Sequence, residues 1–376
     1  MRPLGLYLHI PFCRSKCLYC DFCSFPRPAG ETVNAYVDTL CRDLRRRADD
    51  CRCHTVDTVY LGGGTPTLLS ADQLARIMET VFDAYRVSDG AEITAECNPK
   101  TGSREQFSAM RRMGFNRLSI GLQSAHATEL RALGRIHSFA DFRETFLAAR
   151  EAGFENLSAD VMMGIPHQTL ESYLETLERL TALSPEHISA YGLTVEEGTP
   201  FGKMGDRLIL PDEAVEEAAY FRGIERLAAH GYRQYEISNF AREGYESRHN
   251  LKYWSCEEYL GFGPAAHSDF GGKRFGSSRD LDAYLLGKDI TESVEFPDRD
   301  ERISEYVMLR MRLAEGVRFA DFEVRFGIAF DEYFGSSLRY ASDPTLVHRD
   351  TASISFTPAG MRVSNAILSE WLDFGK

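Results

Sequence analysis

The stretch HIPFCRSKCLYCDFCSF, residues 9–25, sets Cys13, Cys17, Cys20 and Cys23 within eleven positions, and the rest of the chain holds five more cysteines. Thiolates are soft ligands, so a loop carrying three of them as C-x3-C-x2-C suits iron–sulfur or zinc chemistry. Structural zinc usually closes a tetrahedral site with two separated ligand pairs. Beyond Cys23 no further C-x2-C pair appears, and Cys51 and Cys53 are too closely spaced. Three cysteines on a [4Fe–4S] cluster leave one iron with an open position, where a substrate or cofactor can bind. The plain alternative is a set of ordinary buried cysteines, and four in eleven residues on one loop speak against it.

Such a loop needs a scaffold, and the first 205 residues describe one. Short apolar runs, LYLHI, TVYLGGG, EITAEC, RLSIGL, LSADVMMG and HISAYGLT, alternate with stretches of helical period. Ser70 and Gln73 have capping-box spacing, followed by an apolar face of Leu74, Ile77, Met78, Val81 and Phe82. Ser103 and Gln106 repeat that opening, and Tyr36, Val37, Leu40, Cys41 and Leu44 form another stripe. Gly114, Gly153 and Gly231 sit where helices should stop. Six strands alternating with helices imply an α/β fold with a parallel sheet and right-handed crossovers, open or closed into a barrel. In such barrels the chemistry collects at the carboxyl ends of the strands, and the cysteine loop directly follows the first strand. The expected organisation is a barrel over 1–205, a barrel-completing region over 206–290 and a small, mostly helical domain over 291–376.

The chain has 376 residues and a net charge of −13, which argues against a general nucleic-acid surface. No apolar run approaches ~20 residues, so no membrane span is expected, although transient membrane association stays open. The first residues lack the apolar core and cleavage site of a signal peptide. The expectation is a cytoplasmic protein, whose cysteines are reduced, buried or metal-bound rather than paired.

Polar residues recur at one end of successive strands. GGGTPT brings Gly63, Gly64 and Thr65, AECNP brings Glu96, IGLQS brings Gln123, LGRIHS brings Arg135 and SADVMMGIP brings Asp160. Each alone reads as surface or as satisfied core; together they read as one shared site. With the cysteine loop and Tyr19 just before its third cysteine, the sequence resembles the radical S-adenosylmethionine (SAM) superfamily. It is similar to the oxygen-independent coproporphyrinogen III oxidase family from Tyr7 to about His267. The resemblance implies a partial (β/α)6, TIM-like barrel and a [4Fe–4S] cluster on Cys13, Cys17 and Cys20. It also implies that SAM chelates the open iron and is contacted by Tyr7, Gly63, Gly64, Thr65, Glu96, Gln123, Arg135 and Asp160. Carboxylates suit ribose hydroxyls and an ammonium, and Arg suits a carboxylate.

The family has two branches. The oxidase decarboxylates two propionates of coproporphyrinogen III by 5′-deoxyadenosyl radical chemistry. Its pattern continues C-x3-C-x2-C-x-C, but here Phe22 stands at the fourth position and Cys23 falls one residue later. The other branch, the HemW-like haem chaperones, binds haem as cargo and delivers it to acceptor proteins. HNLKYW, His249 to Trp254, matches the H-N-x-x-Y-W motif associated with that branch. His is an axial ligand for haem iron, and Tyr253 and Trp254 offer flat apolar surface; a core of aromatics around a hydrogen-bonded His is the bland alternative. His267 and Cys256 are weaker iron candidates. The expectation is a haem chaperone, with a coproporphyrinogen dehydrogenase as the alternative. Whether the chain is an enzyme stays open, and so does a non-catalytic protein using its cluster structurally or as a redox switch.

Overall fold

The computed structural model describes residues 1–335, 338 and 341–372. All six expected strands form: β1 (Arg2–Ile10), β2 (His54–Gly63), β3 (Val87–Cys97), β4 (Arg117–Gln123), β5 (Asn156–Met163) and β6 (His187–Gly192). They pair in sequence order, each parallel to the next. Period-2 alternation sorts their two faces. On β1, Leu4, Leu6, Leu8 and Ile10 are fully buried in the main apolar core, while Tyr7 stacks beside its register partner Tyr60 of β2.

The outer helices follow the stripes. Helix α1 (Gly30–Arg47) buries Tyr36, Val37, Leu40, Cys41 and Leu44. Helix α2 (Ala71–Ala84) opens with the Ser70–Gln73 capping box and buries Leu74, Ile77, Met78 and Val81. Phe82 lies at the edge of that face and is 45% exposed, contrary to expectation. Helix α3 (Arg104–Arg112) has half of its expected box: Ser103 accepts from Gln106 N–H, but the Gln106 amide donates to the Thr67 and Leu69 carbonyls instead. Gly114, Gly153 and Gly231 each take positive φ where a helix ends. Helices α4 (Phe139–Glu151), α5 (Leu170–Thr181) and α6 (Glu213–Ala229) complete the outer layer, α6 packing on α5.

The arc is extended at both ends. Strand β7 (Asn239–Ala241) adds antiparallel to β6. Strand β8 (Tyr259–Phe262) adds parallel to the free side of β1, giving a seventh parallel strand that the sequence patterns did not announce. Between them runs helix α7 (Arg248–Trp254), carrying HNLKYW. Strands β9 (His267–Phe270), β10 (Lys273–Ser277) and β11 (Thr291–Glu295) continue antiparallel beyond β8.

Strand β11 carries this sheet past the expected boundary at 290, because it pairs with β10. The second apolar core begins at Ile303, after Asp298 caps helix α8 (Arg299–Arg310). Besides helices it contains a three-stranded antiparallel sheet of Val317–Arg318, Ser353–Phe356 and Val347–Arg349. Residues 336, 337, 339, 340 and 373–376 of the expected 291–376 domain lie outside the described residues. Arg302 pairs with Asp269, and Arg325 donates to the Cys256 carbonyl, tying this domain to the barrel. Among the described residues no helix is long and apolar enough to cross a membrane.

Candidate functional site: a cysteine-lined cavity at the barrel mouth

The cysteine loop leaves β1 and is pinned on several sides. Gly64 N–H donates to the Ile10 carbonyl (2.9 Å) and Thr65 N–H to the Phe12 carbonyl (2.7 Å). Leu18 N–H donates to the Leu133 carbonyl (3.0 Å). His9 Nε2 lies 2.8 Å from the Cys23 carbonyl, which can only accept, so this nitrogen carries the proton. His9 Nδ1 then accepts from the Tyr7 hydroxyl (3.0 Å). Burial lowers the His9 pKa and keeps the ring neutral.

The glycines serve this packing. A Cβ on Gly64 would fall 2.5 Å from the Phe12 carbonyl oxygen. Gly63 has φ +100°, and a Cβ there would fall 2.3 Å from the His9 ring. Gly64→Ala is therefore expected to cost about 1–3 kcal/mol by overpacking, read as a lower midpoint in denaturant melts of the cluster-free protein.

Cys13, Cys17 and Cys20 are half-buried and line a cavity of about 530 Å³. Gly63, Gly64, Thr65, Glu96, Gln123, Arg135 and Asp160 line the same cavity. Tyr7 does not; its hydroxyl is hydrogen-bonded to His9, within electrostatic reach of Glu96. Gln123 takes φ +68° beside an irregularity in the β4–β5 register. Its Oε1 accepts from the Tyr191 hydroxyl at 3.0 Å. Glu96 Oε1 accepts from the Tyr60 hydroxyl (2.9 Å) and Oε2 from Gly63 N–H (3.0 Å). Asp160 accepts from the Ser119 hydroxyl (3.0 Å).

A polar chain links the loop to the strands. The Arg135 guanidinium donates to Asn98 Oδ1 (2.5 Å) and to the Tyr19 hydroxyl (2.7 Å). The Asn98 amide donates to Thr65 (2.8 Å), whose hydroxyl reaches Cys13 Sγ at 3.6 Å. Asn98, Ser119 and Tyr191 were not singled out in the sequence, although Asn98 stands two residues after Glu96 in AECNP.

The electrostatics fit a cationic occupant. Burial pushes Glu96 up to about 7, with the neighbouring Asp160 adding to the shift against the Tyr60 and Gly63 hydrogen bonds. Burial also raises Asp160. A ligand bringing positive charge would ionise both and be held by them. Burial likewise raises the Cys17 and Cys20 thiols, a cost that binding to iron reverses. Among the described residues no three His, Cys, Asp or Glu side chains converge as they would round a single ion. Three thiols on one cavity are the soft donors that an iron–sulfur cluster would take.

Comparison with known proteins places this geometry. The Radical SAM superfamily profile matches residues 7–180, and the HemN C-terminal domain profile matches residues 298–363. The chain is 35% identical to heme chaperone HemW of Bacillus subtilis over 97% of this chain and 98% of that one. It is 34% identical to heme chaperone HemW of Haemophilus influenzae, over 98% of each chain. The chain belongs to the HemW family. A solved structure similar in fold is coproporphyrinogen III oxidase (HemN) from Escherichia coli, a radical SAM enzyme. It superposes with a TM-score of 0.88 at 25% identity, over 100% of this chain and 91% of that chain.

The HNLKYW helix packs its histidine into the interior. His249 is 1% exposed. Its Nδ1 is hydrogen-bonded to the Thr58 hydroxyl and its Nε2 to the Tyr253 hydroxyl, both at 2.8 Å. His249, expected as a haem ligand, thus has both ring nitrogens engaged within the protein. Tyr253 packs edge-on against His249 and Tyr259. Trp254 is half-buried at the helix end. Cys256 packs against the C-terminal core, and His267 is exposed on the extension of the sheet, away from the cavity. Cys23 is buried with its thiol towards the Arg279 carbonyl, whereas Phe22 lines the cavity and is 62% exposed.

Proposed function

We propose that this chain is a cytoplasmic haem chaperone. It holds a [4Fe–4S] cluster on Cys13, Cys17 and Cys20 and SAM on the strand-end residues of the cavity, and passes haem to acceptor proteins. The observation that carries this reading is the similarity, over nearly the whole chain, to relatives named heme chaperone HemW. When bound, the cluster with SAM supplies one-electron chemistry; Glu96, Asp160 and Arg135 supply charge complementarity for the SAM polar groups. Phe22, at the place of the oxidase's fourth cysteine, supports a binding role over decarboxylation. With Ile136, 64% exposed on the same cavity, it offers a flat apolar seat for haem. The exposed Arg14 and Lys16 beside them suit its propionates.

The fold of coproporphyrinogen III oxidase supports a second reading, oxidase activity. Anaerobic reconstitution followed by a haem titration and a coproporphyrinogen III assay separates the two. The expected result is about one haem per chain with a Soret band of coordinated iron, and no decarboxylation. Phe22→Asp should weaken haem binding, while His249→Phe should leave the Soret band unchanged. A wild-type protein that binds no haem and forms protoporphyrinogen IX would install the oxidase reading instead.

A further inference from the structure

Helix α7 enters the barrel from the end opposite the cysteine loop. The N–H groups of Arg248 and His249 donate to the Glu92 carboxylate, at 3.1 and 3.0 Å, which fixes the first turn of α7 against β3. Gly5 of β1 admits it: a Cβ there would lie 3.0 Å from Lys252 Cδ and 3.3 Å from His249 Cε1. His249 is thereby wedged in the interior. Its ring stacks on Tyr60, with centroids 5.1 Å apart and planes 24° from parallel. Tyr60 in turn donates to Glu96 Oε1 in the cavity. Thr58, which holds His249 Nδ1, and Tyr60 sit two residues apart on β2 and so share the interior face.

We propose that His249 is a positioning residue for SAM: its ring braces Tyr60, whose hydroxyl fixes the Glu96 carboxylate at the floor of the cavity. The inference rests on the SAM site proposed above. It gives the H-N-x-x-Y-W helix a role inside the barrel that needs no iron ligation. Without the ring, Tyr60 gains room to tilt and its hydrogen bond to Glu96 is lost. The groups facing Glu96 are Tyr60, Gly63 N–H, Asp160, Arg117, Tyr7 and Tyr253. Among these, the Tyr60 hydroxyl, the Gly63 N–H and Arg117 favour the ionised carboxylate.

The test uses full-length protein reconstituted anaerobically. It measures iron and sulfide content, SAM affinity from pH 6 to 8.5, and the change that SAM makes in the spectrum of the reduced cluster. His249→Ala should keep the cluster and weaken SAM binding about tenfold, the scale of one charge-assisted hydrogen bond. His249→Phe restores a flat ring but has no nitrogen, and should recover most of that loss. Tyr60→Phe keeps the stack and should move the pH midpoint of SAM binding upward. It also decides the matter should His249→Ala fail to fold. Wild-type SAM affinity at every pH in cluster-loaded Tyr60→Phe overturns the brace, as does loss in His249→Phe equal to that in His249→Ala. Glu96→Ala separates the two levels. If it leaves SAM affinity unchanged, the SAM site itself is misplaced; if it alone weakens binding, only the brace fails.

Discussion

Cys17→Ser should strip most of the iron and acid-labile sulfide from anaerobically reconstituted protein. The loop offers three half-buried thiols to the cavity, and a serine oxygen is a poor replacement for a soft thiolate. Losing one ligand leaves a cluster iron held by the protein nowhere, since the open iron is already reserved for the cofactor. The same loss is expected at Cys13 and Cys20. Cys23→Ser is the control. Its thiol is buried towards the Arg279 carbonyl, 3.7 Å away, and does not line the cavity. Its anchoring contact is made by the backbone carbonyl to His9, which serine retains. Iron and sulfide near wild type in Cys17→Ser, with loss in Cys23→Ser, would reverse the ligand assignment.

Glu96→Ala should keep the cluster and lose SAM affinity. A buried charge-assisted hydrogen bond contributes roughly 1.5–3 kcal/mol, or about tenfold to over a hundredfold in affinity. The pH profile carries a sign. Burial, with Asp160 beside it, raises the folded pKa of Glu96 to about 7, above its ordinary 4.5. The folded, ligand-free protein therefore binds more protons than the unfolded chain between those values. The contribution of Glu96 to stability is fully present below about 4.5 and is lost as pH rises through about 7. A ligand that needs the carboxylate runs the other way, so SAM affinity should rise through about pH 7 in wild type and flatten in the variant. Equal affinity in cluster-loaded wild type and Glu96→Ala removes Glu96 from the site.

The barrel was legible because its signals are local. Each strand is a short apolar run followed by a capped helix, and β1 to β6 pair in the order in which they are written. The lining of the cavity was legible for the same reason: Glu96, Gln123 and Asp160 stand at or near strand ends, and strand ends share a mouth. What failed to show depends on distant partners. The carboxylate that seats His249 is 157 residues away, at Glu92, and nothing within HNLKYW distinguishes a histidine aimed at a ligand from one aimed into a barrel. Phe82 continues the helical period of its stripe yet falls past the edge of the buried arc. The C-terminal strands run two to four residues, too short for alternation to declare itself.

The placement of β8 bears on the order in which the molecule can be built. Strand β1 leaves the ribosome before both of its neighbours, and β2 covers one of its sides soon after. Among the described residues its other side is matched by Tyr259–Phe262. At roughly 5–20 residues per second, synthesis of the intervening chain takes on the order of tens of seconds. Throughout that interval the growing polypeptide carries an unpaired parallel edge, the kind of surface that recruits stray strands. The segment that supplies β8 also carries α7, so the edge is covered and the barrel floor filled by one stretch of chain. A nascent protein halted before residue 259 should therefore be far more prone to aggregation than one halted after residue 262.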